Sequence, residues 1–304
     1  MKNIINYYYN FNLINIYNIN DSIYFNYKNN DYFFIKYDRS INEIQSIYNL
    51  NSELKKRMIL TNSIILNKDN QIVTFVNNTP YILIRDDVKT KKLTINDILY
   101  IQNNTINIIG DKKLYRIDWI KMWQIKIDYY EDLMINIKKR YSLLYSNIDY
   151  YIGLGENAIS YLVYNNVKDN NVCLSHKRIN TNKNTFDYYN PINYILDNRT
   201  RDISEYIKDL FFSNNNLDLI MYYLNYINLS KEEYILLISR LLFPTYFFDV
   251  YDKIINNELD EKIVKPIIDK TDSYILFIKN IFFFIIYQKG INIPYIEWII
   301  KDAN

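Results

Sequence analysis

The sequence predicts an α+β protein, with a small β-rich part holding one main helix ahead of a larger helical part. Aromatic and β-branched runs separated by turn residues crowd residues 1–90. Past that point the apolar period lengthens to that of helices. A chain of 304 residues can also bury a large core, as one big domain or two lobes. The expected division is 1–90 for a β-rich N-lobe and 91–304 for a helical C-lobe.

The elements follow in order. SIYFNY (22–27) and DYFFIKY (31–37) are aromatic, β-branched strands joined by a hairpin turn at KNND. From Ser40 to Met58 a helix is expected. Ile41, Ile44, Ile47, Tyr48, Leu54 and Met58 fall near one face, Ser40 is the N-cap, and Glu43 completes a capping box. SIILN, QIVTFV and YILIRDD are further strands, the last two joined by a turn at NNTP. A β-β-helix-β-β-β pattern thus covers roughly residues 4 to 86.

Beyond KTKK (89–92), Thr94 caps a short helix with Asp97 three residues on. From Asp118 a long helix carries Trp119, Met122, Trp123, Ile127, Tyr130, Leu133, Met134 and Ile137 on one stripe. A second covers SNIDYYIGLGENAISYLVYNN, where Gly153 and Gly155 allow close packing or a bend beside Ala158. The strand VCLS precedes the helices DISEYIKDLFF, LDLIMYYLNYI and KEEYILLISRLL, the last with a box of Ser230 and Glu233. DSYILFIKNIFFFIIYQ and PYIEWIIKD close the chain, with Pro294 at the start of the final helix.

Composition excludes more than it identifies. There are 33 tyrosines and 15 phenylalanines against 4 glycines and 5 prolines, a bias toward AT-rich codons that reads first as genomic drift. A net charge of +2 with dispersed basic residues argues against nucleic-acid binding. One cysteine rules out an internal disulfide and any cysteine-based metal cluster. With one histidine, the metal to consider is Mg²⁺ on oxygen ligands. Asparagines interrupt the N-terminus, and Lys279 and Asn280 break the apolar stretch 273–290. The chain reads as soluble, not secreted, and without a transmembrane segment.

VCLSHKRINTNKNTFDYYNP (172–191) holds the only cysteine, Cys173, and the only histidine, His176. A lone histidine ending an apolar strand, followed by a polar loop and an aspartate, is how several phosphotransferases place a catalytic loop. Lys36 on a strand and Glu43 at the next helix have the spacing of a phosphate-binding lysine and its partner glutamate. The plainer reading, a surface lysine and a capping glutamate, is the commoner outcome. No glycine precedes Gly110, which argues against a glycine-rich nucleotide clamp. GLGENA fits no dinucleotide fingerprint and reads as helix packing.

Several of these stretches resemble the endospore coat-associated family of the YutH type, within the kinase-like aminoglycoside/choline phosphotransferase superfamily. They are YFFIKYDRSINEIQSIYNL, QIVTFVNNTPYILI, DWIKMWQIKIDYYE, IDYYIGLGENAISYL, and SHKRI followed by YNPINYILDNRTRDISEYIK. The resemblance implies a protein-kinase-like bilobal fold and a role in coats or assembly, alongside other coat proteins. The place would be the spore coat or the mother-cell cytoplasm.

The superfamily's loop reads His-Gly-Asp, with an Asn after it and a second Asp on the next strand. Its first Asp takes the substrate's proton, while the Asn and second Asp hold Mg²⁺. By that likeness Lys36 and Glu43 are a vestigial nucleotide pair. Asn182 or Asn184 stands near the metal-binding Asn, Asp187 near the metal-binding Asp, and Asp202 braces the loop. The base itself is gone, because His176 is followed by Lys177 and Arg178. A guanidinium, with a pKa above ~12, cannot accept a proton.

The expectation is therefore a catalytically inactive, pseudokinase-like component or assembly factor of the endospore coat, with no cofactor. The alternative is an active small-molecule phosphotransferase using ATP and Mg²⁺. There Lys36 would hold phosphates, Asp187 the metal, and Asp197 or Glu205 would serve as base.

Overall fold

The computed structural model describes residues 1–19, 22–137, 140–167, 171–214 and 217–301. Its first elements are α1 (Lys2–Tyr9), β1 (Tyr17–Ile19), β2 (Ser22–Tyr27), β3 (Asn30–Lys36), α2 (Ile44–Lys56), β4 (Ser63–Ile65), β5 (Thr74–Val76), β6 (Thr79–Arg85) and α3 (Ile95–Thr105). There follow α4 (Trp119–Ile137), α5 (Ser142–Tyr145), α6 (Ile148–Asn165), β7 (Val172–His176), α7 (Thr185–Tyr188), β8 (Tyr194–Asn198) and α8 (Thr200–Asn214). The remainder is α9 (Leu217–Tyr226), α10 (Lys231–Leu242), α11 (Thr245–Ile255), α12 (Lys265–Asp269), α13 (Thr271–Phe283) and α14 (Glu297–Lys301).

The chain divides into two compact units, 1–116 with 172–197, and 117–171 with 198–304. The first unit thus takes in α3 and the β7–β8 segment, which the sequence reading placed in the helical part. The cause is backbone pairing: Arg116 N–H donates to Leu196 O at 2.8 Å and Asn107 N–H to Val172 O at 2.7 Å.

In the first unit an antiparallel sheet runs β1-β2-β3-β6-β4, with β5 also on β6, while β7 and β8 pair separately. Register places Phe33 opposite Ile84 and Phe34 opposite Leu83, so one face carries Phe34 and Leu83. The two tight hairpins turn on Lys28–Asn29 and Asn77–Asn78, all four with positive φ. That is the backbone sense whose twist matches the flanking strands. Asparagine replaces scarce glycine there, tolerating the left-handed region through its short polar side chain.

Several elements lie outside the sequence reading, among them α1, β1, β8 and α11. The opening residues form α1 rather than a strand, with Ile5 and Tyr9 one helical turn apart on the face that meets the sheet. Both are buried, with Leu13, against Ile23, Phe25, Tyr32, Phe34, Val76 and Leu83. Burying Ile5 alone contributes about 1.5–3 kcal/mol. Asn10 ends the helix at φ 53°.

The helix after β3 also differs in detail. Residues 41–43 form a single tight turn, with the Ser40 hydroxyl accepting from Asn42 N–H, and the α-helix begins at Ile44. By contrast, the boxes Thr94–Asp97 and Ser230–Glu233 close as expected. Pro294 lies three residues ahead of the last helix rather than at its first position.

In the second unit Trp119, Trp123, Ile127 and Tyr130 of α4 are buried; the side chain of Ile137 lies outside the described residues. Aromatic stacking joins α4 to α11, Tyr130 to Phe248 at 4.2 Å, and α6 to α11, Tyr151 to Phe247 at 3.7 Å. Gly155 is a close approach, since a Cβ there would fall 2.5 Å from Ile127 Cδ1, whereas Gly153 faces open space. By length and composition Lys231–Ile255 is apolar enough to cross a membrane, and 78 % of that window is buried inside the fold.

Candidate functional site

β7 is apolar and deeply packed, which carries His176 at its end to 2 % exposure. The imidazole lies on the Tyr188 ring at 4.0 Å and meets Tyr194 edge-on at 5.4 Å. Strand, loop helix α7 and return strand β8 each contribute one ring to this stack. His176 is thereby a packing group at the root of the loop.

The loop itself presents cations. Arg178 is exposed, and its guanidinium donates to Lys177 O at 3.2 Å. Lys183 Nζ donates to Arg178 O at 3.0 Å, and Lys177 N–H to Asn193 O at 2.9 Å. Burial, ahead of the nearby Arg39 guanidinium, lowers the Lys177 pKa. Two residues past His176 the chain thus offers a permanent positive charge, a group that cannot accept a proton.

Lys36 and Glu43 do not pair with each other. Strand alternation puts Lys36 on the face of Tyr32 and Phe34, and it is exposed at the strand's end. Glu43 is held by two guanidiniums instead, accepting from Arg39 Nε at 2.8 Å and from Arg116 at 3.0 Å. Burial pushes its pKa up, but bonds from Arg39 and Arg116 outweigh that and leave it lowered. Arg39 also donates to Ile192 O and Tyr194 O, at 2.9 and 2.7 Å, pinning the strand that returns from the loop. Arg39 went unnoticed in the sequence. Its four-residue spacing from Glu43 was the available signal.

The remaining candidates also move. Asp187 sits in α7, a helix of four residues, not on the strand after the loop. It is partly buried, and its carboxylate makes no ion pair among the described residues. Its N–H donates to the Asn184 side chain at 2.9 Å, so Asn184 is a helix cap. Asn182 is exposed, and its N–H donates to Asn180 Oδ1 at 3.2 Å. The carboxylate on the following strand is Asp197, fully buried in β8. Asp202 is fully buried in the first turn of α8.

Glu205 is no base. It pairs with Lys208 at 2.8 Å and Arg240 at 3.0 Å and accepts from the Thr245 hydroxyl at 2.9 Å. Against the cost of burial, those cations hold it well below the usual carboxylate range.

Mg·ATP requires a lysine on phosphates, oxygen ligands on the metal and a proton acceptor. Lys36 stands apart from Glu43, Arg178 is an exposed guanidinium two residues past His176, and Glu205 is neutralised by Lys208 and Arg240. Among the described residues no three His, Cys, Asp or Glu side chains are arranged to hold a metal ion. The expected phosphate-binding pair, Lys36 with Glu43, is therefore not assembled.

Comparison with known proteins gives the context. Residues 2–279 match the family described as "Spore coat putative kinase YutH". The "Endospore coat-associated protein YutH" of Bacillus subtilis (strain 168) is 29 % identical over 128 residues, 37 % of this chain and 37 % of that protein. The match thus spans little more than a third of the curated relative.

Among solved structures, an aminoglycoside phosphotransferase from Alicyclobacillus acidocaldarius superposes with a TM-score of 0.66 at 9 % identity, over 92 % of this chain and 94 % of that one. Spectinomycin phosphotransferase APH(9)-Ia, in its AMP-bound complex, gives 0.56 at 14 %, over 92 % and 93 %. Amicoumacin kinase hAmiN gives 0.54 at 11 %, over 97 % and 94 %. At such identities the likeness shows the kinase-like phosphotransferase fold.

Proposed function

This chain belongs to the YutH family of spore coat proteins, and we propose that it works there as a catalytically inactive kinase fold, a structural or assembly component that acts by binding. Its partners are other coat or assembly proteins, and its place is the coat or the mother-cell side of it.

Arg178 carries this reading. General-base catalysis is worth about 10²- to 10⁴-fold, and the side chain two residues past His176 is a guanidinium that cannot provide it. The separation of Lys36 from Glu43 supports the same conclusion, because phosphate positioning needs that lysine held in place.

The test is phosphoryl transfer by the full chain from ATP with Mg²⁺, to small hydroxylated acceptors and to itself. No transfer above an acceptor-free control is expected. ATP-dependent transfer that disappears in Asp187→Ala would establish the active phosphotransferase instead.

A further inference from the structure

Phe33 and Phe186 lie ring against ring, with centroids 3.9 Å apart and planes at 34°. Phe33 belongs to the sheet face opposite α1, where Tyr24 extends the aromatic surface at 5.3 Å. Phe186 comes from α7 and is 6 % exposed.

The residue before it binds the segment that leaves β6. Thr185 N–H donates to Lys91 O at 2.8 Å, and its hydroxyl donates to Lys89 O and accepts from Lys91 N–H, both at 2.9 Å. Asn62, fully buried, locks this arrangement. Its amide nitrogen donates to Phe186 O at 3.3 Å, while its oxygen accepts from Asp87 and Val88 N–H at 3.0 and 3.2 Å.

A flat ring on an aromatic wall, beside an edge that meets paired main-chain donors and acceptors, is how a slot holds a planar heterocycle. Here the chain supplies both parts itself. A flat ligand between the two rings would need two van der Waals separations, about 7 Å. The observed 3.9 Å leaves no such gap.

We propose that Thr185 and Phe186 are the built-in occupant of a slot for a planar heterocycle of the nucleobase type, and that they close it to nucleotides. This rests on the reading of the chain as an inactive kinase fold and gives that reading a steric cause.

The test is adenosine binding by the full chain, read as a ligand-dependent rise in Tm. Wild type is expected to show no rise, and Phe186→Ala is expected to gain one. Phe34→Ala, which loosens the opposite face of the same sheet, is expected to gain none. Should Phe186→Ala fail to fold, Phe186→Leu decides: it keeps most of the apolar volume, lacks the flat ring, and is expected to gain a smaller rise.

A folded Phe186 variant without any rise overturns the proposal, as does an equal rise in Phe34→Ala. Adenosine binding by wild type without phosphate transfer overturns it too, while leaving the inactive reading in place. Phosphate transfer by wild type overturns the reading on which it rests.

Discussion

Arg39, in the bend after β3, reaches Glu43 four residues on at 2.8 Å, and from the same guanidinium it reaches the carbonyls of Ile192 and Tyr194. One side chain thereby joins the start of α2 to the strand returning from the degenerate loop. The glutamate expected to steady a phosphate-binding lysine steadies the loop's anchor instead.

Glu43→Gln should therefore destabilise the protein without touching any chemistry. It removes the anion from two guanidiniums, one of them on the buried Arg39, at a cost of about 1.5–3 kcal/mol. Glu43 has a lowered pKa, so its contribution is present above the ordinary carboxylate range and lost as pH falls through the folded value. Urea denaturation at neutral and acid pH should show wild type and variant converging as the pH drops.

Arg178→Asp restores a carboxylate two residues after His176. Transfer of phosphate from ATP should still be absent, because Lys36 and Glu43 stand apart. Recovery of transfer in this variant would show that a single substitution silenced the fold.

In α8 the buried Lys208 holds Glu205 together with Arg240. Glu205→Gln leaves two buried cations without their anion and should cost about 3–5 kcal/mol by chemical denaturation. Burial first, with Arg240 opposing the pull of Glu205, lowers the Lys208 pKa to about 8. Between that value and the ordinary lysine value the unfolded chain binds more protons, so this group favours folding as pH rises across the window. Lys208→Met should lose that alkaline slope.

The two glycines of α6 should separate cleanly. Gly155→Ala drives a methyl into Ile127 and should cost about 1–3 kcal/mol. Gly153→Ala meets open space and should gain up to about 1 kcal/mol from helix propensity. Thermal unfolding of the two variants checks the pair.

Much of the fold was legible because its signals are local. The hairpin turns at Lys28–Asn29 and Asn77–Asn78, the boxes at Thr94 and Ser230, and the apolar stripe of α4 each arise from residues within a few positions of one another. The opening helix was missed because Tyr7, Tyr8 and Tyr9 carry strand propensity, and only the sheet face beneath Ile5 and Tyr9 selects the helix. Glu43 was assigned to a capping box for a like reason. Its spacing from Ser40 is right, but Arg116, far along the chain, competes for the carboxylate.

The long periodic helices, the hairpin strands and the guanidinium at Arg178 could be read from the chain alone, since propensity, period and side-chain chemistry need no partner. Packing in three dimensions settles which charges meet, which face of β3 carries Lys36, and that Phe186 closes on Phe33. Those outcomes depend on strand parity and on contacts between segments some 150 residues apart, as between Phe33 and Phe186. No local pattern encodes them.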